Sequence, residues 1–229
     1  MSAVSLNASL RRLRPHSRGN EALAEPLDAG ATAGMITAAA GKLAELFDVL
    51  SIDYRNDHNT ADTPRRVAKM FVEELLHGRY APPPRITEFD NVLGYDDLIV
   101  TGPIDVRSTC AHHLMPIVGH AFIGIVPASH GRIIGLSKYD RIVAHFAARL
   151  QIQEELVKQI GAYIADATEP AGLAVRISAV HMCKTQRGVR ASHRSRMVNA
   201  AYFGSLQSDP DLKQRFLHEC MSLERSADT

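Results

Sequence analysis

Cys110 and His113 stand three positions apart in the run Ser108-Thr-Cys-Ala-His-His-Leu-Met-Pro116, and they constrain this chain more than anything else in it. A thiolate and a neutral imidazole at that separation can both reach one Zn2+ from a single turn of backbone. Two donors do not make a site, so the fold must bring a third from elsewhere. The best source is the later run Val180-His181-Met182-Cys183, an apolar stretch that offers one further thiol. A fold that closes Cys110, His113 and Cys183 around one ion leaves its fourth position open, as catalytic rather than structural zinc sites do. The plain alternative makes both cysteines small buried hydrophobes and the histidines satisfied polar residues, which is the commoner fate of a lone Cys-x-x-His.

At 229 residues the chain has room for one well-buried domain with an appended N-terminal element. A formal net charge of +1 gives no reason to expect nucleic acid or an anionic membrane as a partner. No apolar run approaches the roughly 18 residues of a membrane span. Three cysteines are too few, and odd in number, for a disulfide scaffold, so a reducing compartment and a cytoplasmic protein are expected. Cys220, in a helical C-terminal stretch, reads as structural.

Residues 1–30 carry Arg11, Arg12, Arg14 and Arg18 with no acid before Glu21. They lack the amphipathic period of a transit peptide and read as a flexible tail. Residues 31–80 read as a helical region. Met35, Ile36, Leu43, Leu46 and Phe47 recur at helical spacing, and a second helix starts at Thr63-Pro64 and is expected to stop at Gly78. After the stiff connector Ala81-Pro-Pro-Pro-Arg85, residues 81–229 form the main domain. Strands are predicted over 98–101, 104–109, 117–126, 173–182 and 197–203, with helices from Ser137, from Gln151 to about Ala167, and after Asp209-Pro210. Consecutive strands are hairpin-like and the helices are grouped, which predicts an α+β fold with an antiparallel sheet.

Two further groups carry chemistry. In Gly135-Leu-Ser137-Lys138-Tyr-Asp-Arg141, a serine at a helix start precedes two cations on one face, a disposition suited to phosphate. A capped helix with solvated basic residues explains the same residues. Gln153-Glu154 offers a carboxylate with a neighbouring amide, able to meet the N1–H and exocyclic amine of guanine. Glutamate early in a helix also meets the dipole favourably, so this pair is weak alone.

Taken in order, Cys110-x-His112-His113, Gly135-Leu-Ser137-Lys138-x-x-Arg141, Gln151-x-Gln153-Glu154 and His181-x-Cys183-x-x-x-Arg187-Gly188-Val189 resemble the motifs of GTP cyclohydrolase I. The stretch Asp62-Thr-Pro-Arg-Arg66-Val-Ala-Lys-Met70 is similar to that family's N-terminal helix, and the resemblance spans about residues 32–220. It implies a T-fold, an antiparallel sheet with helices packed on one side and an N-terminal helical extension, in a homo-oligomer expected to be a toroidal decamer with active sites between subunits. The implied reaction turns GTP and water into 7,8-dihydroneopterin triphosphate and formate. Zn2+ is implied on Cys110, His113 and Cys183, and proton transfer on His112 and His181, with Ser137 assisting the later rearrangement. Glu154 with Gln153 is implied to select guanine. Lys138, Arg141, Arg187 and Arg66 are implied to hold the triphosphate.

This chain departs from the family pattern in two places. Ala111 stands where glutamate is usual, and Arg190-Ala-Ser-His-Arg-Ser-Arg-Met197 is more basic than the threonine-rich run expected there. These leave room for a T-fold enzyme that stops at a ring-opened formamidopyrimidine or takes another purine triphosphate. A non-catalytic purine- or pterin-binding subunit is a third reading. Against it stand His112 and His181, since a binding module has no use for two proton carriers beside a metal.

Overall fold

The computed structural model describes residues 17–129 and 131–227. The tail predicted over 1–30 thus lies, for residues 1–16, outside the described residues. The chain divides into two units, Met1–Pro82 and Pro83–Thr229.

In the N-terminal unit, the backbone N–H groups of Leu23 and Leu27 donate to the carbonyls of Arg79 (2.8 Å) and Tyr80 (3.0 Å). The Arg79 guanidinium also donates to Ser17 Oγ at 2.9 Å. Helix α1, Ala29–Val49, starts where Asp28 Oδ1 accepts the Ala31 N–H at 2.7 Å, which satisfies one of the helix's open donors. Helix α2, Thr63–Lys69, has Pro64 in its first turn and continues as a π-helical stretch, Met70–Leu75. The expected stop at Gly78 does not occur. One more turn, α3 (His77–Tyr80), contains Gly78 as a buried residue.

The second unit is built on a five-stranded sheet. Its members are β2 (Ile99–Cys110), β3 (Pro116–Val126), β5 (Leu150–Gln151), β6 (Gly172–His181) and β7 (Met197–Gly204), in the order β5-β2-β3-β6-β7. All neighbours are antiparallel except β5 and β2, which run parallel. Short strands β1 (Glu88–Asp90) and β4 (Arg132–Ile134) form a separate ribbon. The two strands expected over 98–109 are one, with a register shift between Thr101 and Ile104 that absorbs Gly102-Pro103.

Alternation along the strands gives the sheet two faces. On the first, Ala121, Ile123 and Ile125 of β3 and Val175, Ile177 and Ala179 of β6 join the main core. Helices α4 (Ser137–Ala147) and α5 (Gln153–Thr168) cover this face through Ile142, Val143 and Phe146 and through Leu156, Ile160 and Ile164. The intervening residues Phe122, Val126 and Ala174 point the other way. There they meet Leu206 of α7 (Ser205–Ser208) and Phe216 and Cys220 of the C-terminal helix α8 (Pro210–Ala227). Helices on one side of the sheet were expected; the C-terminal helix adds cover to part of the other. No helix among the described residues is long and apolar enough to cross a membrane.

Candidate active site

The turn between β2 and β3 is pinned at both ends. Cys110 closes β2; its N–H donates to the Met115 carbonyl at 2.8 Å, and the Leu114 N–H donates back to the Cys110 carbonyl at 2.9 Å. Leu114 takes a positive φ of 54° to make that return, so the turn is tightly specified. A third tie comes from β5, where the Ala111 N–H donates to the Gln151 carbonyl at 3.0 Å. Strand β5 leads directly into α5, so the same pairing fixes the start of that helix beside the turn.

The third donor arrives through sheet register. Ile117 at the start of β3 pairs with His181 at the end of β6, and the helical turn α6, Met182–Thr185, follows at once. Cys183 therefore lies against the turn that carries Cys110 and His113. The donor atoms of Cys110, His113 and Cys183 all lie within 4.8 Å of one another. Ligand atoms around a tetrahedral zinc stand roughly 3.3–3.8 Å apart, so this group needs only a small contraction to hold one. The chemistry fits too: two thiols and an imidazole are a zinc set, not a magnesium one. Burial, and next the adjacent Cys110 thiol, hold the Cys183 thiol above its ordinary pKa, while Arg187 opposes both. Two thiolates side by side call for a cation. His112 is exposed on the same turn, its Nδ1 3.9 Å from Cys110 Sγ.

His181 and Gln153 form the best-determined contact of the site. Gln153 is 1% exposed. Its Nε2 donates to the carbonyls of Ile177 (3.2 Å) and Met197 (3.1 Å) and to Asn199 Oδ1 (2.7 Å). With acceptors on that side, Oε1 has to face His181, whose Nε2 lies 2.8 Å away. An amide oxygen only accepts, so His181 carries its proton on Nε2 and presents Nδ1 as the basic nitrogen. Burial lowers the His181 pKa; Glu154 works against that and Lys184 with it. Gln153, expected with Glu154 to select guanine, thus has its amide engaged inside the fold. Glu154, the next residue, is exposed in the first turn of α5. Asn199 was not anticipated from sequence, since only the β6–β7 register and the entry of α5 bring it to Gln153.

The remaining expected residues are more open. Ser137 is exposed as the first residue of α4, with Leu136 in the N-cap position; Lys138 is half-buried and Arg141 exposed on the same helix. Arg187 is exposed on the loop after α6, where Gly188 takes a φ of 60°. Arg66 belongs to the N-terminal unit, on α2, with its Nε 3.2 Å from Asp62 Oδ2.

The family model described as GTP cyclohydrolase I matches residues 39–221. The chain belongs to the GTP cyclohydrolase I family. It is 42% identical over 176 residues to "GTP cyclohydrolase 1" of Shewanella baltica (strain OS185), which covers 76% of this chain and 80% of that protein. The protein of the same name from Shewanella sp. (strain ANA-3) is 40% identical over the same shares. The apo crystal structure of the archaeosine synthase QueF-Like aligns with 48% of this chain and 94% of that chain, at a TM-score of 0.37 and 13% identity. Family membership makes the architecture above a T-fold.

Proposed function

We propose that this chain opens GTP with water and rearranges it to 7,8-dihydroneopterin triphosphate with release of formate. The observation that carries the reading is the approach of Cys110, His113 and Cys183 within 4.8 Å, with His181 two residues from one of them. These three residues would hold zinc, which when bound supplies a Lewis acid and lowers the pKa of water. His112, exposed beside them, exchanges protons with the imidazole nitrogens of the purine as that ring opens. His181, held as the Nε2–H tautomer, takes protons through Nδ1 on the ribose side, where Ser137 offers a hydroxyl. Glu154 accepts from N1–H and the exocyclic amine of guanine. Lys138, Arg141, Arg187 and Arg66 bind the triphosphate, whose several charges need more than one cation. The reading includes a cytoplasmic homo-oligomer, a toroidal decamer, whose active sites lie between subunits.

Purified protein supplied with zinc and GTP is expected to release formate and a pterin that fluoresces after oxidation, with about one zinc per chain by direct metal analysis. Formate without a pterin would mark an enzyme that stops at the ring-opened stage; GTP binding with neither product would mark a binding subunit. His112→Ala is expected to abolish turnover while the metal content stays at the wild-type value. Full activity in that variant would remove His112 from the mechanism.

A further inference from the structure

Helix α8 covers the second face of the sheet only in part. The rest carries Asp105 and Arg107 of β2, Val118 and His120 of β3 and Val180 of β6, side chains that alternate with the core residues of those strands. His193 and Arg196, from the basic run before β7, border the same area. Together they line a cleft of about 340 Å3. The thiols of Cys110 and Cys183 pack with the core of the first face, so this cleft is separate from the active site.

Three features of the cleft point to a ligand. First, the Arg196 guanidinium is held from behind by Ser178, through Oγ at 2.9 Å and the carbonyl at 3.2 Å, while the exposed Arg107 pairs with Asp105. An anchored fork such as Arg196 loses little freedom on binding. Second, Asp105, which faces both Arg107 and His120 (Nε2 at 3.7 Å), is the single carboxylate lining the cleft among the described residues, so Arg196 and His193 have no acid opposite them there. Third, Val118, Val180 and Met182 give it an apolar floor. Polar groups around an apolar floor are the usual make-up of a small-molecule site. Two arginines and two histidines offer more donors than the two oxygens of a carboxylate can use, whereas a phosphate can use them.

We propose that this cleft binds a small phosphorylated ligand with a flat apolar body, at a second site independent of turnover. The basic residues His193 and Arg196, which the proposed reaction does not use, are then part of a binding surface.

Calorimetric titration of the full-length protein with pyrophosphate tests this. Wild type is expected to bind two per chain. Lys138→Ala/Arg141→Ala should lose the active-site class, and Arg107→Gln/Arg196→Gln the cleft class, the latter with GTP turnover kept. Two sites persisting in Arg107→Gln/Arg196→Gln, or one in wild type, would overturn the proposal. His193→Glu, an exposed position, covers the case where the double variant fails to fold. It should weaken the cleft class at least about tenfold, and unchanged affinity counts against the proposal. Adenosine diphosphate should bind the Lys138→Ala/Arg141→Ala protein more tightly than pyrophosphate; equal affinities would refute the apolar-body part. The readout is a stoichiometry, so a protein that releases no formate would defeat the proposed reaction and leave this result standing.

Discussion

Glutamine 153 has its amide occupied inside the fold, which bears on what its side chain can do. Its position beside Glu154 suggests a purine reader, yet every polar atom of its amide is committed to Ile177, Met197, Asn199 or His181. Its leverage is therefore on His181, and the two neighbours should separate kinetically. Gln153→Leu is expected to lower kcat by about 10–100-fold, the usual cost of losing a residue that orients a functional histidine, with KM for GTP changed little. Glu154→Gln should raise KM and erode the preference for GTP over inosine triphosphate, which lacks the exocyclic amine. A Gln153 variant with raised KM and unchanged kcat would restore the reader role. Cys110, His113 and Cys183 were legible because metal chemistry restricts donors to few residue types at few spacings. Asn199 was not, since a lone asparagine in a strand carries no signal until its register is known. Cys220 yields a prediction about pH. Burial pushes its thiol up to about 12, above the roughly 8.5 of an unfolded chain. Its contribution is complete below about pH 8.5 and is lost as pH rises toward 12, because only the unfolded chain ionises it readily. The urea midpoint should fall between pH 8 and 10.5, and fall less in Cys220→Val; parallel curves would exclude the thiol as the cause.

Among the elements, most strands and helices follow from periodicity, and the discrepancies have local causes. Gly102-Pro103 looks like a break between two strands, but the sheet absorbs it as a bulge. A Cβ at Gly102 would lie 2.6 Å from Phe122 Cδ1, and φ there is 150°, so only glycine lets the strand pass. Gly78 reads as a helix stop because glycine often is one, yet here it lies buried inside one further turn, His77–Tyr80. Hydropathy could not reveal that α8 covers the second face, because an amphipathic helix does not name its partner. Phe216 is the center of that contact, fully buried among Phe122, Val126, Ala174 and Leu206. Phe216→Ala should cost about 3–5 kcal/mol, read as a lower denaturant midpoint with the slope preserved. A loss below about 1 kcal/mol would mean that α8 contributes little to the fold.

For the molecule as a whole, the question is which chain supplies each part of a working site. The structure brings Cys110, His113 and Cys183 together within one chain, so a zinc ion held there, as proposed, would stabilise each chain directly and its removal should destabilise it. At a free zinc concentration of 1,000 Kd the bound ion contributes about 4 kcal/mol, and a chelator should lower the melting temperature accordingly, reversibly on zinc addition. The arginines proposed to bind phosphate carry no such single-chain constraint, and the proposed assembly puts each site between subunits. Mixing two inactive variants separates the possibilities. If His112 and Arg141 of one site come from neighbouring subunits, a random equal mixture of His112→Ala and Arg141→Ala chains has both residues intact in about a quarter of its sites. Unfolding and refolding the two proteins together should then restore roughly that share of wild-type activity, while refolding them apart and combining them afterwards should restore none. If both residues belong to one chain, every site in the mixture lacks one of them, and activity stays at the level of the separate variants. That result would place His112 and Arg141 of one site within a single subunit and remove this pair as a reason for expecting assembly to be required for turnover.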